Sequence, residues 1–224
     1  MFKCEYCNKS FAKETTLAVH MCERKRRHLN QNEKPVQLGY RAYQLFYRIG
    51  TNSKKDKTYE EFASSQYYSA FVKFGSYCLD LRVDDVPGLT KWLLQNQIKL
   101  DKWTSDQVFN NWLKSRLKTE SVDRAFERTV LFMQTWADEN NQSWNHYFEK
   151  VSSNLAVFHI CSGKISPWVL FASDQAQAFL DKLNPEQLQM VVDYIDVPYW
   201  QQTFKKNPED FEWVQQVLRE ASLT

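Results

Sequence analysis

The chain has 224 residues, 43% hydrophobic and 15% aromatic, which is ample apolar content for one sizeable core. No apolar run reaches the roughly 18 residues needed to span a bilayer, and an N-terminus rich in Cys and Lys is no signal peptide; no membrane partner is expected, and the protein should be soluble and intracellular. The net charge of +2 conceals an asymmetry, because residues 1–57 carry 13 Lys and Arg against 5 Asp and Glu, a balance of +8, while the remainder carries 16 against 22, a balance of −6. A basic head on an acidic body fits a protein that offers one end to phosphates and the other to protein partners.

At the N-terminus two residues separate Cys4 from Cys7 and twelve separate Cys7 from His20. A tight turn can aim both thiolates at one ion, and the longer interval leaves room for a strand and a helix entry. Phe11 and Leu17 stand where a miniature core is needed. With these residues in place, segment 1–28 resembles a zinc finger of the two-cysteine, two-histidine type, which implies a small ββα unit around a structural Zn2+.

The fourth ligand departs from that pattern, since Arg24, Lys25 and Arg26 occupy the positions where the second histidine should fall. Cys22 and His28 are the alternatives. Cys22 is only two residues past His20, nearly opposite on a regular helix, so it can share the ion only where the helix ends or unwinds near Met21. His28 lies eight residues on, about 12 Å along a straight helix, and requires the chain to fold back. Cys22 is favoured, because a short local distortion closes the site and neighbouring cations favour its thiolate. An ion held by four protein ligands has no open position for an activated water, so the metal is expected to be structural. Folding of so small a unit should depend on it.

Residues 29–36 read as a basic and polar linker, with Arg24 to Arg27 continuing the finger helix as a basic extension and Asn30 to Pro35 as loop. The remainder, 37–224, reads as all-α. Gly and Pro are scarce, at 5 and 6, which favours long helices and few tight turns. Leu38, Ala42, Leu45, Phe46 and Ile49 recur at helical spacing, with Tyr40, Tyr43 and Tyr47 on neighbouring faces and Gly50 as a stop. Thr58 with Glu61 and Thr104 with Gln107 read as capping boxes. Further helices are expected at about 120–138, 144–152 and 154–161, with two or three more over 165–196. Asn184-Pro185 and Asn207-Pro208 mark later helix starts, an N-cap residue before a proline at the first helical position. A division into two lobes is expected near 140–145. Cys78 and Cys161, in apolar stretches without partners at a recognisable spacing, read as buried thiols.

No phosphate-cradling glycine loop, nucleophile elbow or second metal motif occurs, and no enzymatic activity is expected. His146 and His159, the only histidines of the body, read as structural, and the pairs Asp84-Asp85 and Asp138-Glu139 as solvated. Nucleic-acid binding has more support. Arg24, Lys25, Arg26 and Arg27, together with Lys54, Lys55 and Lys57, flank a tyrosine-rich helix that carries Arg41 and Arg48; cations hold phosphates, and tyrosines can stack on unpaired bases, although tyrosines on such a helix are more often core residues than stacking platforms. Of the base-reading positions of such a finger, Lys13, Thr16 and Val19, only Lys13 suits a guanine. One finger covers about 3 base pairs, so shape- or strand-directed binding is expected rather than sequence-specific regulation.

The body also resembles the helicase-loading proteins of T-even bacteriophages in order and spacing. The resemblance rests on Tyr40-Arg41-Ala42-Tyr43-Gln44-Leu45-Phe46, then Asn96-Gln97, Trp103-Thr104-Ser105-Asp106 and Arg116-Leu117, and later Ser152-Ser153, Phe158, Gly163-Lys164-Ile165-Ser166 and Phe179-Leu180. It implies an all-helical, two-lobed, non-enzymatic protein that holds forked or single-stranded DNA and recruits a replicative helicase together with a single-strand-binding protein, in the host cytoplasm. Those loaders are not known for a finger at the front, and their bodies are basic where this one is acidic. The alternatives are a transcription or RNA-level regulator whose body binds a polymerase subunit, and a structural or assembly protein whose finger is a docking module.

Overall fold

The computed structural model describes residues 1–50 and 55–221. Among them the chain is predominantly helical, and its one sheet is a two-stranded hairpin. It divides into two compact units, 1–112 and 113–224. Residues 140–145, where the sequence suggests a lobe division, lie inside the second unit.

The first unit opens with the hairpin, in which β1 (Phe2–Lys3) runs antiparallel to β2 (Ser10–Phe11) with Phe2 opposite Phe11. Asn8 takes a positive φ of 60° in the turn, a conformation asparagine tolerates better than most residues. Helix α1 (Glu14–Ala18) follows and stops at Val19. The basic residues do not continue it. They form a separate helix, α2 (Glu23–Leu29), because Cys22 is extended (φ −87°, ψ 163°) and its Sγ accepts the Lys25 N–H as an N-cap. Segment 29–36 is likewise not a loop. A 3-10 turn over Asn30–Asn32 leads directly into α3 (Lys34–Gly50), and Pro35 is tolerated because the first turn needs no N–H from it.

Helix α3 turns its tyrosines inward. Tyr43 is buried against Phe62 and Phe71, and Tyr40 packs on Tyr59 and Phe62, so this face is core and not a platform for bases. Around it pack α4 (Tyr59–Ser64), α5 (Tyr68–Asp80) and α6 (Val86–Gln95), with Trp103 fully enclosed by Phe46, Phe71 and Phe74. The capping box of Thr58 and Glu61 forms in both directions. The one expected from Thr104 does not start the next helix, which begins at Asp106 after a 3-10 turn; α7 (Asp106–Thr119) carries the chain into the second unit.

Helices α3 and α5 cross with almost no space between their backbones. A Cβ on Gly75 would lie 2.1 Å from the Pro35 carbonyl oxygen, and one on Gly39 would lie 2.5 Å from that of Phe71. Both obstacles are backbone, which cannot swing away. Only two glycines facing each other permit this crossing.

The second unit packs α8 (Val122–Asn140), α9 (Tyr147–Lys150), α10 (Ser153–Cys161), α11 (Pro167–Ala172), α12 (Asp174–Leu180), α13 (Pro185–Tyr194), α14 (Val197–Lys206) and α15 (Pro208–Glu220) around Met133, Tyr147, Ile160, Ile165 and Leu170. Asn184 and Gln187 form a reciprocal capping box. Asn207 does not cap α15 with its side chain; it also ends α14, and its amide is spent on the Thr203 carbonyl. Gly163, at φ +70°, closes α10. Arg128 lies over that turn, bonded to the Gly163 and Lys164 carbonyls and to Glu120, whose side chain is 8% exposed.

Two substitutions test these constraints. Gly75→Ala should force α3 and α5 apart and lower stability by about 1–3 kcal/mol. Arg128→Ala should cost about 1–3 kcal/mol, chiefly by leaving the Gly163 and Lys164 carbonyls without their donor, since Arg116 still pairs with Glu120. Urea unfolding monitored by far-UV circular dichroism checks both, and a wild-type midpoint for either would contradict the packing described.

Candidate metal centre

The only cluster of metal-ligating side chains among the described residues is Cys4, Cys7, His20 and Cys22, whose ligand atoms all lie within 4.8 Å of one another. Three local structures bring them together. The hairpin turn supplies Cys4 and Cys7, with the Cys4 N–H bonded to the Lys9 carbonyl and the Asn8 N–H to the Cys4 carbonyl. The end of α1 supplies His20, whose ring stands 4.7 Å from that of Phe11. The break after α1 supplies Cys22.

Within the cluster Cys4 Sγ is 3.9 Å from Cys22 Sγ, and Cys7 Sγ is 3.3 Å from His20 Nε2. All three sulfurs are free thiols, not disulfides. Cys4 is buried, and backbone N–H groups of Cys7 and then Tyr6 hold its thiol below the ordinary cysteine value. The Lys25 N–H donates to the Cys22 sulfur at 3.4 Å. The set can hold a metal ion, and three soft sulfurs with one imidazole select a thiophilic one.

His28, the alternative fourth ligand, is outside the cluster. Its ring sits between Tyr6, at 5.2 Å, and Tyr59, at 6.5 Å. Helix α2 carries it away from the ligands, because the chain breaks at Cys22 and does not fold back after His28.

The sequence groups the basic residues together, but the structure gives them different surroundings. Lys13 and Arg41 are exposed. Arg24 is exposed and reaches the Tyr6 carbonyl at 3.4 Å, and Lys25 reaches that of His20 at the same distance. Arg26 is exposed but paired with Glu23. Arg27 is largely enclosed and bonds Glu23 and the Ala63 and Ser65 carbonyls. Arg48 pairs with Asp56 at 2.6 Å, and Lys57 with Glu61 at 2.6 Å while lying over the Tyr47 ring. Lys55 is exposed; Lys54 lies outside the described residues. Sequence reasoning missed the part played by Tyr6, Tyr59 and Tyr68 around α2. No local signal could have revealed it, since Arg27 and its two carbonyl acceptors are 36 and 38 residues apart.

Elsewhere the titratable groups are accounted for structurally. The Asp85 carboxylate caps α6 through the Gly88 N–H. His159 bonds Tyr147 at 2.7 Å, and burial pushes its pKa down to about 4. Burial pushes the Cys78 thiol up to about 12 and, with help from the Asp193 charge, that of Cys161 to about 11.

No protein-family model, curated protein or solved structure matches the chain. The resemblance to helicase loaders therefore rests on the residues quoted for it.

The geometry makes a direct prediction. Wild-type protein titrated with Co2+ should bind one equivalent, with thiolate charge-transfer absorption and the visible bands of a tetrahedral ion. Cys22→Ser should weaken binding and alter the spectrum, whereas His28→Ala should retain the full equivalent. Loss of binding in the His28 variant alone would reverse the ligand assignment.

Proposed function

We propose that this is a non-enzymatic, zinc-organised nucleic-acid-binding protein, a replication accessory factor of the helicase-loading kind. In this reading the basic first unit holds forked or single-stranded DNA, and other surfaces meet a helicase and a single-strand-binding protein. The observation that carries the reading is the cluster of three sulfurs and one imidazole at the root of the basic segment. Two of its six ligand spacings are close to those of a tetrahedral zinc site, and the whole set lies within 4.8 Å. Zn–S and Zn–N bonds of about 2.3 and 2.05 Å place tetrahedral ligands about 3.75 Å apart for two sulfurs and about 3.5 Å for sulfur and nitrogen, against 3.9 and 3.3 Å here.

The form of the module argues for strand or shape recognition over reading of duplex sequence. Helix α1 has 5 residues, about 7.5 Å of axis, too short to present three base-reading positions along a groove. Val19, the last of those positions, is an apolar side chain 81% exposed. Among the described residues, the exposed cations near this module that could meet phosphates are Lys13, Arg24, Lys34, Arg41 and Lys55, with the partly exposed Lys25, joined by Lys3 and Lys9 of the hairpin, which are exposed. An all-helical chain of two compact units agrees with the architecture that the loader resemblance implies.

One observation favours a second reading. Val19 and Met21, 57% exposed, put apolar surface beside the ligands, which suits a finger that docks on protein, whether in a regulator or in an assembly.

Anisotropy titrations of the full chain against forked, single-stranded and duplex probes, across a salt series, separate the two. The DNA reading expects fork or single strand to bind best. Replacing Lys13, Arg24 and Arg41 by Gln should weaken all probes, and the log–log salt slope should fall by about 0.7–0.9 for each phosphate that is no longer neutralised. No binding to any probe at low ionic strength would leave the docking reading.

A further inference from the structure

We infer that the metal site and the helical part of the first unit are energetically coupled through α2, with Arg27 as the positioning residue that joins them. The inference rests on the metal reading above and goes beyond it. A finger on a linker would fold and release its ion independently of the body; this geometry ties the two together.

Helix α2 has 7 residues, well below the length at which a helix is stable alone in water, about 12–15 residues. Its two ends must therefore be held from outside. At the first end Cys22 serves both as metal ligand and as N-cap, so an ion on the cluster fixes the first turn. At the other end the Arg27 guanidinium donates to the Ala63 and Ser65 carbonyls, at 2.9 and 3.2 Å, and lies 4.4 Å over the Tyr68 ring. The Tyr59 hydroxyl donates in return to the Arg27 carbonyl, and the His28 ring stands between Tyr6 of the hairpin and Tyr59.

The recipient is equally dependent. Helix α4 has only 6 residues, and the carbonyls that Arg27 engages lie at its C-terminal end, where a helix lacks internal donors and welcomes positive charge. Two short helices thus complete each other's termini, and the metal fixes the outer one. Release of the ion frees the start of α2 and removes support from its far end, and so from α4. This explains why Arg27 has a side chain only 18% exposed. It is a strut, whereas its neighbour Arg26, 62% exposed, is a surface group.

Coupling of this kind is reciprocal. If the ion strengthens the contact between α2 and α4, weakening that contact must lower affinity for the ion by the same factor. A residue that touches no ligand should then control metal binding.

The test uses the full-length chain with Zn2+ and a competing chromophoric chelator, together with amide hydrogen exchange. Arg27→Ala should lower metal affinity about five- to tenfold with all four ligands intact, and Arg27→Lys, which keeps the charge but loses the forked donor, should fall between. Arg26→Ala should leave affinity unchanged. In the wild type, removing the metal should raise exchange over residues 59–65; in Arg27→Ala that exchange should already be raised and respond little. Wild-type affinity in Arg27→Ala, or exchange over 59–65 indifferent to chelation in a protein that does bind the ion, overturns the coupling alone. A wild-type chain that binds no metal overturns the metal reading itself. Should Arg27→Ala unfold, the Lys variant and the chelation response of the wild type still decide the matter.

Discussion

The arrangement of the first unit depends on one break in the chain, between His20 and Cys22. Two residues apart on a continuous helix, their side chains would diverge by about 200° and could not meet at one ion. Helix α1 ends at Ala18 and a new helix begins at Glu23, with Cys22 extended between them. That one residue contributes its sulfur to the cluster and accepts the N–H of Lys25. The break therefore redirects the basic segment as well as closing the site, and the direction of α2 decides which of its cations face solvent and which meet α4.

Charge counted along a sequence differs from charge available to a ligand. Residues 1–57 carry a balance of +8, yet Arg48 and Lys57 are matched by Asp56 and Glu61, and Glu23 serves both Arg26 and Arg27. Exposed pairs of this kind contribute little stability, but they lower the field that a phosphate would meet. Among the described residues, further exposed cations stand on the hairpin and just before α1, at Lys3 and Lys13, on α3 at Lys34 and Arg41, and at Lys55. The proposed nucleic-acid surface accordingly centres on the metal-organised module more than on the run of four cations that first draws attention.

Much of this was legible in the residues, for reasons of range. Local rules found the cysteine turn, the end of α3 at Gly50, the capping box at Thr58 and the prolines that start α13 and α15, because each acts within one turn of chain. The preference for Cys22 over His28 also followed from local geometry. What failed depended on distant partners. The tyrosines of α3 could be assigned to core or to base stacking only once Phe62 and Phe71 were seen against them. The unit boundary is also non-local: residues 140–145 look like a gap between helices, yet Trp136 packs against Tyr147 across it. Asn207 does not cap α15, because its side chain turns back along α14 to donate to the Thr203 carbonyl.

The five cysteines show how one residue type is sorted by its surroundings. Burial makes ionisation of Cys78 and Cys161 unfavourable, pushing their thiols to about 12 and about 11. An ion would gain little there, since a metal-bound sulfur must lose its proton. At the N-terminus backbone N–H groups point at sulfur, at Cys4 from Cys7 and Tyr6 and at Cys22 from Lys25. Donors aimed at a developing thiolate lower the cost of making it. At Cys4 the same short turn that brings the ligand within reach also supplies these donors, whereas the Cys7 thiol, despite a backbone donor from Lys9, is raised by burial and by the neighbouring Cys4 and Cys22. A thiophilic ion would therefore settle at the front of the chain, and four protein ligands around it leave no position at which water could be activated.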